Sequence, residues 1–129
     1  MVDPQEEITE RRPTNYSRWH RKALPEWCYM TDGDWFEQRV IEGELRSVAY
    51  IETIEIEEPG EGNKSHPLWK SKEALCLEIE RKMGIPAYVV WHNSACDDFL
   101  VQRITEATPR RMNRGEYMEF IKNLGRQIR

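Results

Sequence analysis

The chain has 129 residues, 33% of them charged and 39% hydrophobic, with a formal net charge of −4. That length suits one domain with one core, and no run approaches the ~18 apolar residues of a membrane span or reads as a secretory signal. Three widely spaced cysteines without CxxC spacing argue against a disulfide scaffold, and five tryptophans with five tyrosines argue against disorder, so a cytoplasmic protein with no membrane contact is expected.

Residues 1–12 are polar and are expected to form a flexible N-terminus ahead of a single domain over 13–129. Pro13 and Pro25 bracket a short helix over Thr14–Leu24, with Thr14 as its cap and Tyr16, Trp19 and Ala23 along one face. Trp27–Met30 is a short apolar run, and Thr31-Asp32-Gly33-Asp34 has turn composition. Trp35–Ile41 has strand propensity, Glu42-Gly43-Glu44 reads as a hairpin turn, and Arg46–Ile56 is the strongest strand. Strand alternation places Tyr50, Glu52, Ile54 and Ile56 on one face, and Ala49, Ile51, Thr53 and Glu55 on the other.

Glu57–Lys64 is a loop by composition, and a helix follows from Ser71 to its stop at Gly84, with Leu75, Cys76, Ile79 and Met83 on one side. Ile85–Trp91 is continuously apolar, as in a strand covered on both faces, and Phe99–Ile104 alternates as another strand. Arg114–Leu124 reads as a helix with Tyr117, Phe120, Ile121 and Leu124 in one stripe, so a basic helix is expected over about 114–125. Together these elements predict an α/β fold, a small mixed central sheet flanked by helices.

Charge is distributed unevenly. The segments Glu10–Lys22 and Arg110–Arg129 each carry a net charge of +4, and the stretch Glu26–Glu61 between them carries −9. Such blocks form either salt-bridge partners on a surface or a carboxylate site flanked by cations that hold a polyanion.

Among the carboxylates, Asp34 stands where one strand begins and Glu52 lies inside the next. Pairing those strands as a hairpin carries Asp34 toward Glu52. A carboxylate sharing a half-buried face with Tyr50 and Ile54 needs a partner, because desolvating an unpaired charge is costly. Two converging carboxylates suit Mg²⁺ or Mn²⁺ and metal-assisted phosphodiester hydrolysis.

The aspartate-bearing turn, the strand SVAYIETIEI, the segment SKEALCLEIERKMGIPAYVVW and then DFLVQRI resemble the PD-(D/E)XK nuclease superfamily over about residues 14–104. The resemblance implies a restriction-endonuclease-like αβββαβ core and a metal-dependent DNA endonuclease, with RNA as the other polymer and a homodimer as one arrangement. Carried over residue by residue, Asp34 and Glu52 become catalytic metal ligands, with Asp32 the rival of Asp34 and Glu37 an auxiliary ligand. His20 or Glu26 is placed where relatives keep an extra group. The family's lysine, due two residues after Glu52, is replaced by Ile54, which neither orients water nor stabilises charge. Lys72 and Lys64, with Lys70 beside them, are the substitutes; otherwise the chain is a catalytically inactive nucleic-acid-binding or assembly module.

Arg18, Arg21, Lys22, Arg110, Arg111 and Arg114 are candidates for phosphate contacts, or serve only to solubilise the terminal helices. Asp32 and Asp34 are alternatively turn residues, and Glu52 a salt-bridge partner of Arg39 or Arg46 across the hairpin. His92 and Cys96 lack the second pair that a zinc site needs. The tryptophans either pack in the core or stack on bases.

Overall fold

In the computed structural model, which describes residues 14–31, 36–65 and 67–126, the chain runs α1 (Asn15–Ala23), β1 (Tyr29–Thr31), β2 (Phe36–Ile41), β3 (Glu44–Glu55), a 3₁₀ turn (Pro59–Glu61), α2 (Gly62–Ser65), α3 (Lys70–Met83), β4 (Ala87–His92), β5 (Asp98–Arg103), β6 (Arg110–Asn113) and α4 (Arg114–Asn123). The expected flexible terminus and both turn aspartates, Asp32 and Asp34, lie outside the described residues.

The six described strands form one mixed sheet whose spatial order follows the chain order. Neighbours are antiparallel except β3 and β4, which are parallel and joined through α3. A parallel pair needs such a crossover, and the helical stretch between these two apolar strands supplies it. The fold is therefore the small mixed α/β sheet with flanking helices that the pattern predicts.

The β2–β3 hairpin closes through Glu42 (φ 51°) and Gly43 (φ 80°). Both dihedrals are left-handed, as in the tight turn whose twist matches the strands it joins. A bulge follows on β3: Glu37 faces Ala49 while Gln38 faces Ser47, so Val48 is extra and both Val48 and Ala49 are buried. Gly125, just beyond α4, packs against that bulge. A Cβ there would lie 2.6 Å from Val48 Cγ1, and its φ of 81° also favours glycine.

One sheet face carries Ala49, Ile51, Val90, Phe99, Val101 and Met112 and is covered by α1 and α4 through Tyr16, Tyr117 and Ile121. Phe99 and Tyr117 stack with centroids 4.0 Å apart, and the Tyr16 and Tyr117 hydroxyls share a 2.6 Å hydrogen bond. Thr14 and Asn113 close capping boxes on α1 and α4, satisfying backbone N–H groups that a helix start leaves open.

The opposite face carries Tyr50, Ala87, Val89, Trp91 and Leu100 and is covered by α3 and the 59–65 segment. Gly62 approaches so closely that a Cβ there would meet Leu100 Cδ2 at 2.6 Å.

Two readings are corrected. Helix α3 buries Cys76 and half-buries Ile79 and Glu80, while Leu75 and Met83, expected inside, are 40% and 50% exposed. Arg110–Asn113 form an edge strand, which Arg-Arg-Met-Asn does not advertise because only Met112 is buried. Among the described residues no helix is long and apolar enough to cross a membrane.

Candidate functional site

Glu52 lies inside β3, opposite Val89 of the parallel strand β4. Its side chain is 13% exposed. The Tyr50 hydroxyl, two residues earlier on the same face, donates to Glu52 Oε2 at 2.7 Å. From above, Lys72 in the first turn of α3 brings Nζ to 3.5 Å from Oε1. Both carboxylate oxygens are thus engaged, which offsets the desolvation that a carboxylate suffers on such a face.

Helical spacing explains why Lys72 reaches it. Lys72 and Cys76 are four residues apart on one side of α3, and Cys76 packs on Tyr50 and Ala87. The turn before Cys76 therefore overlies the next inward residue of β3. Burial pushes the Cys76 thiol up to about 11; the Glu52 carboxylate adds to this and the Lys72 ammonium opposes it. Ile54 instead joins the apolar group of Ile56, Val89, Trp91 and Leu100. A lysine is thus absent from the strand position and present on the adjoining helix. Lys64 is exposed on α2.

Glu37 does not converge on Glu52. It faces Ala49 on the other side of the sheet and is 0% exposed. His20 Nε2 lies 2.6 Å from its Oε2, and Arg39 Nη1 lies 3.0 Å from Oε1. Arg39 also donates to the carbonyls of Gln38 (2.7 Å) and Ile121 (2.8 Å) and stacks over Trp27. This buried triad ties α1, β2 and the end of α4 together, so Glu37 is a structural counter-ion. The expected auxiliary metal ligand is corrected accordingly, and His20 belongs to the same network. Glu26 is exposed beyond α1.

The two arginines proposed to pair with Glu52 are otherwise engaged: Arg39 with Glu37, and Arg46 with Glu44 at 3.2 Å. His92 Nδ1 lies 2.8 Å from the Asn93 carbonyl oxygen and 3.7 Å from Cys96 Sγ. Among the described residues no three histidine, cysteine or acidic groups gather to hold a metal ion.

The phosphate-binding candidates divide. Arg111 makes a bidentate pair with Asp98 at 3.0 and 2.8 Å. Arg114 donates to the carbonyls of Cys96 and Ala95 at 3.1 and 2.8 Å. Both hold the sheet edge and the 93–97 turn, a role that sequence spacing did not reveal. Arg18 donates to Asn15, Lys22 is exposed and Arg21 is half-buried. All three sit on α1, which covers the face opposite Glu52. Arg110 is exposed on β6. Among the described residues the basic ends therefore do not ring the carboxylate as their placement in the sequence suggests; the described cation beside it is Lys72. Tyr50 is the contact sequence reasoning missed. Its i, i+2 spacing from Glu52 was the available signal, legible as a shared face but not as a hydrogen bond.

The chain matches no protein-family model, no curated protein and no solved structure.

Proposed function

We propose that the protein is a metal-dependent nuclease that hydrolyses phosphodiester bonds in DNA, with RNA as the alternative polymer, and that Glu52 and Lys72 are the centre of its site. One observation carries this reading. The lysine that the PD-(D/E)XK pattern needs and the strand lacks at Ile54 is supplied from α3, with Nζ 3.5 Å from the strand carboxylate. The order helix, three strands, helix, strand at the start of the fold supports it further.

The donor chemistry suits a hard cation. Glu52 offers carboxylate oxygens at the end of a half-buried strand face, and Mg²⁺ binds through one or two carboxylates plus water and substrate phosphate. Asp34 is the second ligand in this reading. Asp34 lies outside the described residues, just before β2, whose Phe36 faces Tyr50. The metal, when bound, lowers the pKa of a bound water and offsets charge on the phosphate. Lys72 places a positive charge where the phosphate gains negative charge, and it orients the attacking water. Tyr50 holds the Glu52 carboxylate in place through Oε2, while Ile54 and Trp91 form a dry wall on one side.

A second reading, a non-cleaving nucleic-acid-binding or assembly module, is favoured by the occupancy of both Glu52 oxygens by Tyr50 and Lys72. Plasmid DNA incubated with the pure protein and Mg²⁺ or Mn²⁺ separates the two. Nicking that is lost in Glu52→Ala, Lys72→Ala and Asp34→Ala supports the nuclease. Intact plasmid with retained binding refutes it in favour of the module. Cutting of both strands would call for two copies, so sedimentation of the active species tests the homodimer.

A further inference from the structure

Trp69 is 77% exposed, far more than Trp91, which is 1% exposed, and Trp27, which is 41% exposed beneath the Arg39 guanidinium. Trp19 packs against Tyr16, Phe99 and Tyr117. The Trp69 ring has no aromatic or hydrogen-bonding partner among the described residues. It also occupies the N-cap of α3 and makes no side-chain cap hydrogen bond there, although Ser, Thr, Asp and Asn are the residues that stabilise this position. Lys70 and Lys72 follow in the first turn, where the helix dipole favours acids, and Glu73 is the one acid among them. None of these choices helps the helix.

Each of them suits an anion that carries flat aromatic faces. Lys64, Lys70 and Lys72 fall within nine residues that contain no acid and have Trp69 among them. Trp69, at the N-cap, and Lys72, in the first turn, are three residues apart, within about one turn of α3. Trp69 and the Lys72–Glu52 pair therefore lie at the same end of α3.

We infer that Trp69 is a stacking platform for an unpaired nucleobase whose phosphate is held by Lys70 and Lys72, so that the polymer bound at this site is single-stranded or locally unpaired. In a duplex both faces of each base are already covered by neighbouring bases, and an exposed indole has nothing to stack on. In a single strand the face is open, and base–aromatic stacking works for any base. The inference deepens the nuclease reading and rests on it for the site's purpose, but its test needs no cleavage.

The full chain is titrated in EDTA with a labelled single-stranded 12-mer, in DNA and RNA forms, and with the matching DNA duplex. Anisotropy reports affinity and indole fluorescence reports stacking. Single strands should bind at least about ten-fold more tightly than the duplex, and Trp69→Ala should remove about ten-fold of that affinity. Trp69→Phe should keep most of the affinity while losing the fluorescence quench. Lys70→Ala should lower the salt dependence of binding. Because Trp69 is exposed, circular dichroism should show Trp69→Ala folded as the parent is. Equal affinity for duplex and single strand, or Trp69→Ala binding as the parent does, would overturn the inference. A Trp69-dependent dimer with no oligonucleotide binding would overturn it too, assigning the surface to a second copy. Trp69-dependent binding without any cutting in Mg²⁺ would uphold the platform and reject the nuclease.

Discussion

Replacing Glu37 with alanine removes the counter-charge of a guanidinium that is 1% exposed. Arg39 would keep its bonds to the Gln38 and Ile121 carbonyls but lose the carboxylate 3.0 Å away, and His20 would lose its partner at 2.6 Å. Breaking a buried pair by deleting one partner costs about 3–5 kcal/mol. The hydrogen bond lost between His20 and the carboxylate, worth about 1.5–3 kcal/mol, is one part of that cost, and the unpaired guanidinium is the rest. With an unfolding entropy of about 2.1 cal/mol/K per residue over 129 residues, the melting temperature should fall by roughly 11–18 °C. Urea unfolding followed by circular dichroism gives the free energy directly. Glu37 faces away from Glu52, so Mg²⁺ affinity of the proposed Glu52 site, measured below the melting transition, should not change. Glu37→Leu combined with Arg39→Met should recover much of the loss, because replacing a whole buried pair with apolar groups is often close to neutral. A loss below about 1 kcal/mol, or weakened metal binding in a fully stable Glu37→Ala protein, would refute the structural role and return Glu37 to the site.

On the proposed nuclease reading, Lys72→Ala should lower DNA nicking by about 10²–10³-fold, and adding Ile54→Lys should restore part of it from the strand side; a double variant as inactive as the single one would count against the shared face at Glu52. Stability should fall on acidification in two steps. Burial holds the His92 imidazole below its ordinary 6.5, so the unfolded chain takes up its proton first and stability declines as pH drops below about 6.5. Burial raises the Glu80 carboxyl, but its bonds to Arg103, the Ala87 N–H and Thr105 outweigh this and leave it below 4.5, so its contribution disappears as pH falls through that lowered value. Urea midpoints across pH should show both declines, and His92→Leu should remove the upper one. Burial first, with nearby carboxylates adding to it, pushes the Cys76 and Cys96 thiols up to about 11, so a thiol reagent at pH 8 should label neither until the protein is unfolded. Rapid labelling of the native protein would contradict that burial.

Most of the strands and helices were legible because each depends on local pattern. The alternation through Tyr50, Glu52 and Ile54 marked which β3 side chains share a face, and Thr14 and Gly84 marked helix ends through capping and left-handed backbone. Edge strand β6 escaped notice because a strand with one solvated side and arginines along it carries little alternating signal. The inward face of α3 was misjudged at Leu75 and Met83, since periodicity gives the spacing of a stripe but not the angle at which the helix meets the sheet.

The sequence by itself determined that the chain makes a small α/β sheet, that Glu52 lies on its half-buried face, and that an isoleucine stands two residues after it. The tertiary structure decided which charges meet. Lys72 reaches Glu52 while Glu37, on the neighbouring strand, turns to Arg39 and His20 on the other face. Charge blocks along a chain record composition, whereas ion pairs depend on a few ångströms of separation and on which side of the sheet a residue stands. The alternation of adjacent strand residues and the packing of α3 over β3 settle both.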